Sequence, residues 1–233
     1  AGVGAAVGVG WLAGTSLPKF HEAEARGRGA GSLRQLARWR EGQDLDVGSW
    51  MAPVYGKTPA TIVSVAHLQD DERALALGVV LEDALAWVRS LPGAGRLHAL
   101  VVFDELYGFL PPHPHNPPTK RPLVALMKQA RAFGVGCVLA TQNPMDLDYR
   151  ALSNAGTWML GRLQTDADRA RVVEGLGEKK KGPIDTLVQR IGPRWFVVRT
   201  AGSNEISLMQ PRWAMSLLRG PMTERDLRAA RGA

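Results

Sequence analysis

Cysteine is almost missing from this chain: Cys137 is the single one among 233 residues. A lone thiol excludes an intrachain disulfide and fits a reducing compartment, so the expected location is cytoplasmic. Cys137 lies in an apolar run and reads as a small core residue. Long apolar stretches are missing too. None reaches the roughly 18 residues needed to cross a bilayer, so no membrane segment is expected. Acids are in the minority, 22 Asp and Glu against 29 Lys and Arg, for a net charge of +7. That balance favours an acidic partner, most commonly nucleic acid, and equally fits a soluble surface rich in arginine. No Gly-x-x-x-x-Gly-Lys-Ser/Thr run occurs. Gly56-Lys57-Thr58 comes nearest, but Met51 stands where its first glycine belongs, and an apolar run follows instead of a helix; it reads as a turn. There is no initiating Met and no basic flank of a signal peptide before residues 1–14. Either the chain was trimmed or it begins partway through a longer protein, and the missing phosphate loop favours the second expectation.

Hydrophobic residues make up 45% of the chain, enough for one large domain or two small ones. Residues 1–58 read as a poorly patterned segment, with a short helix over Ser32 to Arg40 and a loop from Gly42 to Tyr55. The organised part spans 59–210. Thr61 to Ala66 is β-branched and apolar and predicts a buried strand. Asp70 or Asp71 caps a helix to about Ser90, with Leu77, Leu81, Ala84, Leu85 and Val88 on one face. A strand ends at Asp104-Glu105. After the proline-laden stretch Leu110 to Pro118, a helix opens near Pro122 and presents Leu123, Leu126, Met127 and Ala130, with Gly134 as its stop. Strands follow at Val135 to Thr141 and Thr157 to Leu160. Thr165 and Asp168 form a capping pair for a helix through about Gly175. Arg194 to Thr200 and Glu205 to Gln210 read as a β-hairpin. Residues 211–233 form a tail with a short helix at Pro221 to Arg231. The alternation predicts an α/β fold with a mainly parallel sheet, buried on both faces, flanked by helices.

Ligands in such sheets bind at the carboxyl ends of the strands. Leu100-Val101-Val102-Phe103-Asp104-Glu105 runs an apolar strand into adjacent carboxylates at that edge. Ala140-Thr141-Gln142-Asn143-Pro144 follows the next strand. Parallel neighbours would set Gln142 beside Glu105, where an amide can sense a phosphate or orient water. Taken alone, Asp104-Glu105 also fits a solvated strand end.

Three runs in order, Phe103-Asp104-Glu105, Gln129 to Gly136 and Leu139 to Pro144, resemble the HerA/FtsK superfamily of hexameric P-loop ATPases. Leu152 to Trp158 and Gly161-Arg162-Leu163 resemble the following segment of the same family, closer to HerA. The similarity covers about residues 59–176. It implies a partial RecA-like ATPase core, ATP and Mg2+ as cofactors, DNA as partner and a homo-hexameric ring acting as translocase or helicase. It also implies roles: Asp104 as the magnesium-holding Walker B aspartate, Glu105 polarising the attacking water, and Gln142 as the polar sensor. Arg131 would reach a neighbouring subunit's ATP site, and Arg162 would contact nucleotide or subunit. Read without the resemblance, Arg131 is a cation favoured at a helix C-terminus and Arg162 an ordinary strand-end charge. Two departures stand out. Asn143 replaces a frequent arginine, and the phosphate loop is absent, so the chain by itself is expected to be inactive and to share its site with upstream residues. Alternatives are a protein- or DNA-secretion ATPase of the same superfamily, and a non-catalytic basic nucleic-acid-binding or assembly module.

Other features point less sharply. His113 and His115 alternate in a proline-rich loop without a third metal ligand. Lys179-Lys180-Lys181 can touch phosphates or simply be solvated. Trp195, Phe196 and Trp213 can stack on bases or pack into strands.

Overall fold

The computed structural model describes residues 45–53, 56–65, 68–142, 147–176, 182–200 and 205–213. These fall into two compact units, over residues 45–90 and 91–213. The expected helices at Ser32 to Arg40 and Pro221 to Arg231, the lysine triplet, Asn143 and the Ala201 to Asn204 turn lie outside the described residues.

In the first unit, α1 (Val47–Trp50) is one helical turn inside the segment expected to be loop. Asp46 caps it by accepting from the Ser49 amide at 3.1 Å. The Val47 amide donates to the Asp83 carboxylate at 2.8 Å, which ties α1 to α2 (Asp70–Ser90). The long helix starts with Asp70, Asp71 and Glu72 and ends near Arg89, charges that complement its dipole. Leu81, Ala84, Leu85 and Val88 are buried as the periodicity predicts, while Leu77 is only half-buried. The strand expected at Thr61 to Ala66 does not form over residues 61–65. Ile62 is 56% exposed, and the run pairs with no strand among the described residues. β-branched composition favours a pleated surface but supplies no partner for the backbone.

The second unit begins with a β–α–β crossover. β1 (Ala94–Phe103) and β2 (Phe133–Leu139) pair in parallel, with Leu100 opposite Gly136, Val102 opposite Val138 and Phe103 opposite Leu139. α3 (Lys120–Gln129) connects them and buries Pro122, Leu123 and Leu126. A 3-10 turn (Ala130–Ala132) with buried Ala130 extends that face. The strand then starts at Phe133, before the expected Val135, and ends at Leu139 instead of Thr141. The sheet is not covered on both faces as its apolar strands predict: Leu100, Val102 and Val138 share a face and are 51%, 65% and 47% exposed. Strand alternation sends every second apolar side chain to that one face, so the three are exposed together.

α4 (Tyr149–Leu152) leads into an antiparallel sheet of β3 (Thr157–Leu160), β4 (Phe196–Thr200) and β5 (Ile206–Met209), in the order β3-β4-β5. The predicted hairpin is thus present as β4 and β5. α5 (Asp166–Gly175) and α6 (Pro183–Arg190) bury Val172, Ile184 and Val188 against Leu160 and Val197. Full burial of such a side chain stabilises by about 1.5–3 kcal/mol. Thr165 caps α5 by accepting from the Asp168 amide at 3.1 Å, and its hydroxyl donates back to the Asp168 carboxylate at 2.6 Å. α6 has no counterpart among the predicted elements. The buried Arg169 crosses to Asp185 of α6 at 3.2 Å and also pairs with Asp166, so its charge is compensated.

Gly134 has φ +71, and a Cβ there would meet the Arg96 carbonyl and, at 2.6 Å, the His98 ring. Gly134→Ala is expected to destabilise by about 2 kcal/mol through left-handed strain and overlap with backbone. Gly136→Ala should cost less, because its Cβ meets the movable and exposed Leu100 side chain at 2.7 Å. Urea unfolding midpoints of the two variants test the difference.

Candidate functional site

The carboxyl edge of the β1–β2 sheet is built by backbone hydrogen bonds that outlast the strands. The Ala140 amide donates to the Phe103 carbonyl at 2.9 Å, and the Leu106 amide donates to the Ala140 carbonyl at 3.0 Å. The chain leaving β1 and the chain leaving β2 are therefore laced together on either side of Asp104 and Glu105. Leu106 and Leu110 are fully buried just beyond, and Phe103 meets Phe109 edge to face at 5.4 Å. Asp104 is exposed and Glu105 half-buried.

Glu105 has φ 60, the left-handed region that non-glycine residues rarely occupy. Such strain costs of order 1–3 kcal/mol and persists where surrounding structure over-determines it. Here the anchors at Phe103 and Leu106 over-determine it. The Thr141 hydroxyl donates a long hydrogen bond, 3.4 Å, to Glu105 Oε1. The partner across the strands is thus Thr141, where sequence reasoning set Gln142. Gln142 is exposed one residue further on. The reason lies in the strand end: β2 stops at Leu139, and the Ala140 bonds bring the next residue, Thr141, to face Glu105.

The two arginines stand apart from this edge. Arg131 is exposed in the 3-10 turn that feeds the amino end of β2. At about 3.3 Å rise per residue, the length of β2 separates it from the acids by on the order of 20 Å. Within one chain the fold does not bring Arg131 to Glu105. Arg162 is exposed just after β3, on the antiparallel sheet, and no hydrogen bond or ion pair among the described residues links it to the acids.

No group of three His, Cys, Asp or Glu side chains with metal-site geometry occurs among the described residues. His113 and His115 are exposed in the loop beyond Leu110. The donor set at Asp104 and Glu105 does not fit an all-protein cage. It fits Mg2+, which keeps several waters and takes one or two carboxylates together with phosphate oxygens. Cys137 lies on β2, and burial pushes its thiol pKa up, away from nucleophile chemistry.

A separate cleft of about 720 Å3 is lined by His113, Asp148, Tyr149, Ser153, Arg171 and Glu174 among others. Tyr149 stacks on Trp158 at 6.4 Å and lies under the Arg171 guanidinium at 4.8 Å. Burial pushes the Tyr149 pKa up to about 12 against the opposing pull of Arg171. Of the aromatics singled out in the sequence, Trp213 is 78% exposed and carries the Arg194 guanidinium over its ring at 4.6 Å. Nothing in the sequence marked Tyr149, whose partners come from β3 and α5.

No protein-family model matches this chain, and no curated protein matches it in sequence. Solved structures do resemble it. The DNA-packaging ATPase B204 from Sulfolobus Turreted Icosahedral Virus aligns over 79% of this chain and 78% of its own, at 14% identity and TM-score 0.50. The genome packaging NTPase B204 from Sulfolobus turreted icosahedral virus 2 in complex with AMPPCP aligns over 68% and 69%, at 14% identity and TM-score 0.49. The likeness to the DNA-packaging ATPase is one of fold: an α/β architecture with a parallel sheet flanked by helices and an antiparallel hairpin sheet.

Two measurements check this geometry. Glu105→Gly and Glu105→Ala both remove the carboxylate, but only glycine accepts φ 60 freely, so the glycine variant should be more stable by about 1 kcal/mol in urea unfolding. Tyr149 should remain protonated in the folded chain at pH 11, read by ultraviolet titration against Tyr149→Phe. Because its folded pKa is raised, its contribution to stability is full below the ordinary tyrosine pKa of about 10 and is lost as pH rises towards 12.

Proposed function

We propose that this chain belongs to an ATP-hydrolysing motor that translocates DNA as a ring, with the acid pair as its hydrolytic edge. The observation that carries the reading is the laced carboxyl edge, where a strained Glu105 is met by Thr141 across parallel strands. Support also comes from the shared fold with a DNA-packaging ATPase and from the net charge of +7, which suits a polyanion.

In this reading Asp104 would hold Mg2+, which when bound with ATP would neutralise charge on the phosphates. Glu105 accepts a hydrogen bond from the attacking water and polarises it. Thr141 restrains the Glu105 carboxylate, and Gln142, exposed beside it, senses the terminal phosphate. Arg131 acts on the site of an adjoining subunit, which agrees with its position at the far edge of its own sheet. Arg162 takes a nucleotide or subunit contact.

A second reading is a basic module that binds nucleic acid or assembles without hydrolysis. One observation favours it: no Gly-x-x-x-x-Gly-Lys-Ser/Thr occurs in the 233 residues. A third, transport of protein or DNA in a secretion system by the same chemistry, differs in its response to DNA.

Steady-state ATP hydrolysis and equilibrium ATP binding separate these readings. Glu105→Gln should lose about 100-fold or more of turnover while still binding ATP. Equal turnover in the full-length protein would remove Glu105 from the mechanism, and no turnover of the full-length protein with ATP and Mg2+ favours the non-hydrolysing module. Duplex DNA should stimulate hydrolysis in a DNA translocase and leave a protein-moving ATPase unaffected. Mixing Arg131→Ala with Glu105→Gln should recover part of the activity that each lacks alone, since some interfaces then combine an intact arginine with an intact glutamate. No recovery would count against the inter-subunit role.

A further inference from the structure

α3 begins against the usual rules. Its first turn holds Lys120 and Arg121 and no acid, the wrong sign for a helix N-terminus. Thr119 stands at the cap position, fully buried, yet its hydroxyl makes no capping bond and donates instead to the Phe109 carbonyl at 2.7 Å. Lys120 likewise turns its ammonium away from the helix. It donates to the Pro111 carbonyl at 2.8 Å, more weakly to the His115 carbonyl at 3.4 Å, and pairs with Asp148 at 2.8 Å. Both side chains of the ion pair are largely shielded, 14% and 16% exposed. Asp148 adds two further ties: its amide donates to the Leu110 carbonyl at 2.9 Å, and its other carboxylate oxygen accepts from the Ala151 amide at 3.3 Å at the start of α4.

These bonds join two stretches of chain. One leaves β1 through Asp104 and Glu105 and continues to Leu110 and Pro111. The other leaves β2 through Thr141 and Gln142 and reaches Asp148. They meet at the near end through Leu106 and Ala140, and at the far end through Leu110, Asp148 and Lys120. The near link already holds Glu105 between Phe103 and Leu106, and the far link adds a second tie between the stretches that carry Glu105 and Thr141. The unfavourable start of α3 then has a physical reason, because its first residues hold the loop instead of capping the helix.

We propose that Lys120 is a positioning residue for the candidate site, its ammonium clamping the segment after Glu105 to Asp148 so that Glu105 and Thr141–Gln142 keep one mutual geometry. The bracing itself follows from the contacts above, whereas its effect on hydrolysis rests on the ATPase reading. Arginine can keep the charge and the donors, methionine keeps the stem alone, and Asp148→Asn keeps both the amide bond to Leu110 and an oxygen for Ala151.

The test is amide hydrogen exchange on the whole chain, with ATP kinetics beside it. In Lys120→Met, exchange at Leu106, Ala140 and Asp148 should rise about tenfold or more, with β3, β4 and β5 unchanged. Lys120→Arg should restore most of the protection, and Asp148→Asn should repeat the Lys120→Met pattern if that variant folds poorly. Faster exchange confined to residues 111–118, or none at all, would overturn the clamp. Where the unaltered protein hydrolyses ATP, Lys120→Met should lower kcat about 10- to 100-fold with KM nearly unchanged. A normal kcat alongside faster exchange at Leu106 would overturn the positioning role. A full-length protein that hydrolyses nothing would sink the ATPase reading and the kinetic role with it, while the exchange data still decide the clamp.

Discussion

Everything distinctive about this chain depends on the parallel pairing of β1 with β2 and its continuation past the last strand residues. Parallel pairing is what puts two carboxyl ends at one edge, and the Phe103 to Leu139 register decides which residues meet there. Had the register slipped by one residue, side chains would have changed faces and Thr141 would have turned from Glu105. The Ala140 and Leu106 bonds then carry the pairing into the loops that hold Glu105 and Thr141. The left-handed backbone of Glu105 is the strain left by bending the chain sharply between two fixed points.

The rest of the second unit supports that edge with unequal means. Apolar burial supports both ends, through Leu106, Leu110, Leu123 and Leu126. A shielded ion pair fixes the far side. The two differ in character: burial is non-directional and tolerates small shifts, whereas the Lys120–Asp148 pair selects one arrangement. The antiparallel sheet with α5 and α6 has its own core around Val197 and Ile184, with a separate aromatic stack at Tyr149.

How much of this could be read in advance follows from which signals are local. α2, β1, α3, β3, α5 and the hairpin strands were foreseen because apolar periodicity, caps and turn residues act within a few positions. Thr165 with Asp168 is the clearest instance, a cap fully specified by four residues. The strand expected at Thr61 to Ala66 did not form over residues 61–65, because a strand needs a partner, and partners are not local. α6 was missed because its start, Gly182-Pro183, looks like loop punctuation although proline suits a first helical turn. At the site, Asp104 and Glu105 were evident from an apolar run meeting acids. Choosing Thr141 over Gln142 required the position where β2 stops. Lys120 was hidden because its partners are carbonyls and an aspartate brought near by folding, though a cation in a helix's first turn was a clue. Arg131 and Arg162 entered through family resemblance, and a single chain does not unite them with the acids.

In the proposed reading the carboxyl edge of β1 and β2 receives a magnesium-bound nucleotide. Replacing Mg2+ by paramagnetic Mn2+ in the presence of a non-hydrolysable ATP analogue, with amide signals read residue by residue, locates that nucleotide. Selective broadening is expected at Asp104, Glu105, Leu106, Thr141 and Gln142, abolished in Asp104→Asn, with β4 and β5 untouched. Broadening centred on His113 and His115, or on the Tyr149 cleft, with the acid edge unaffected, would contradict it.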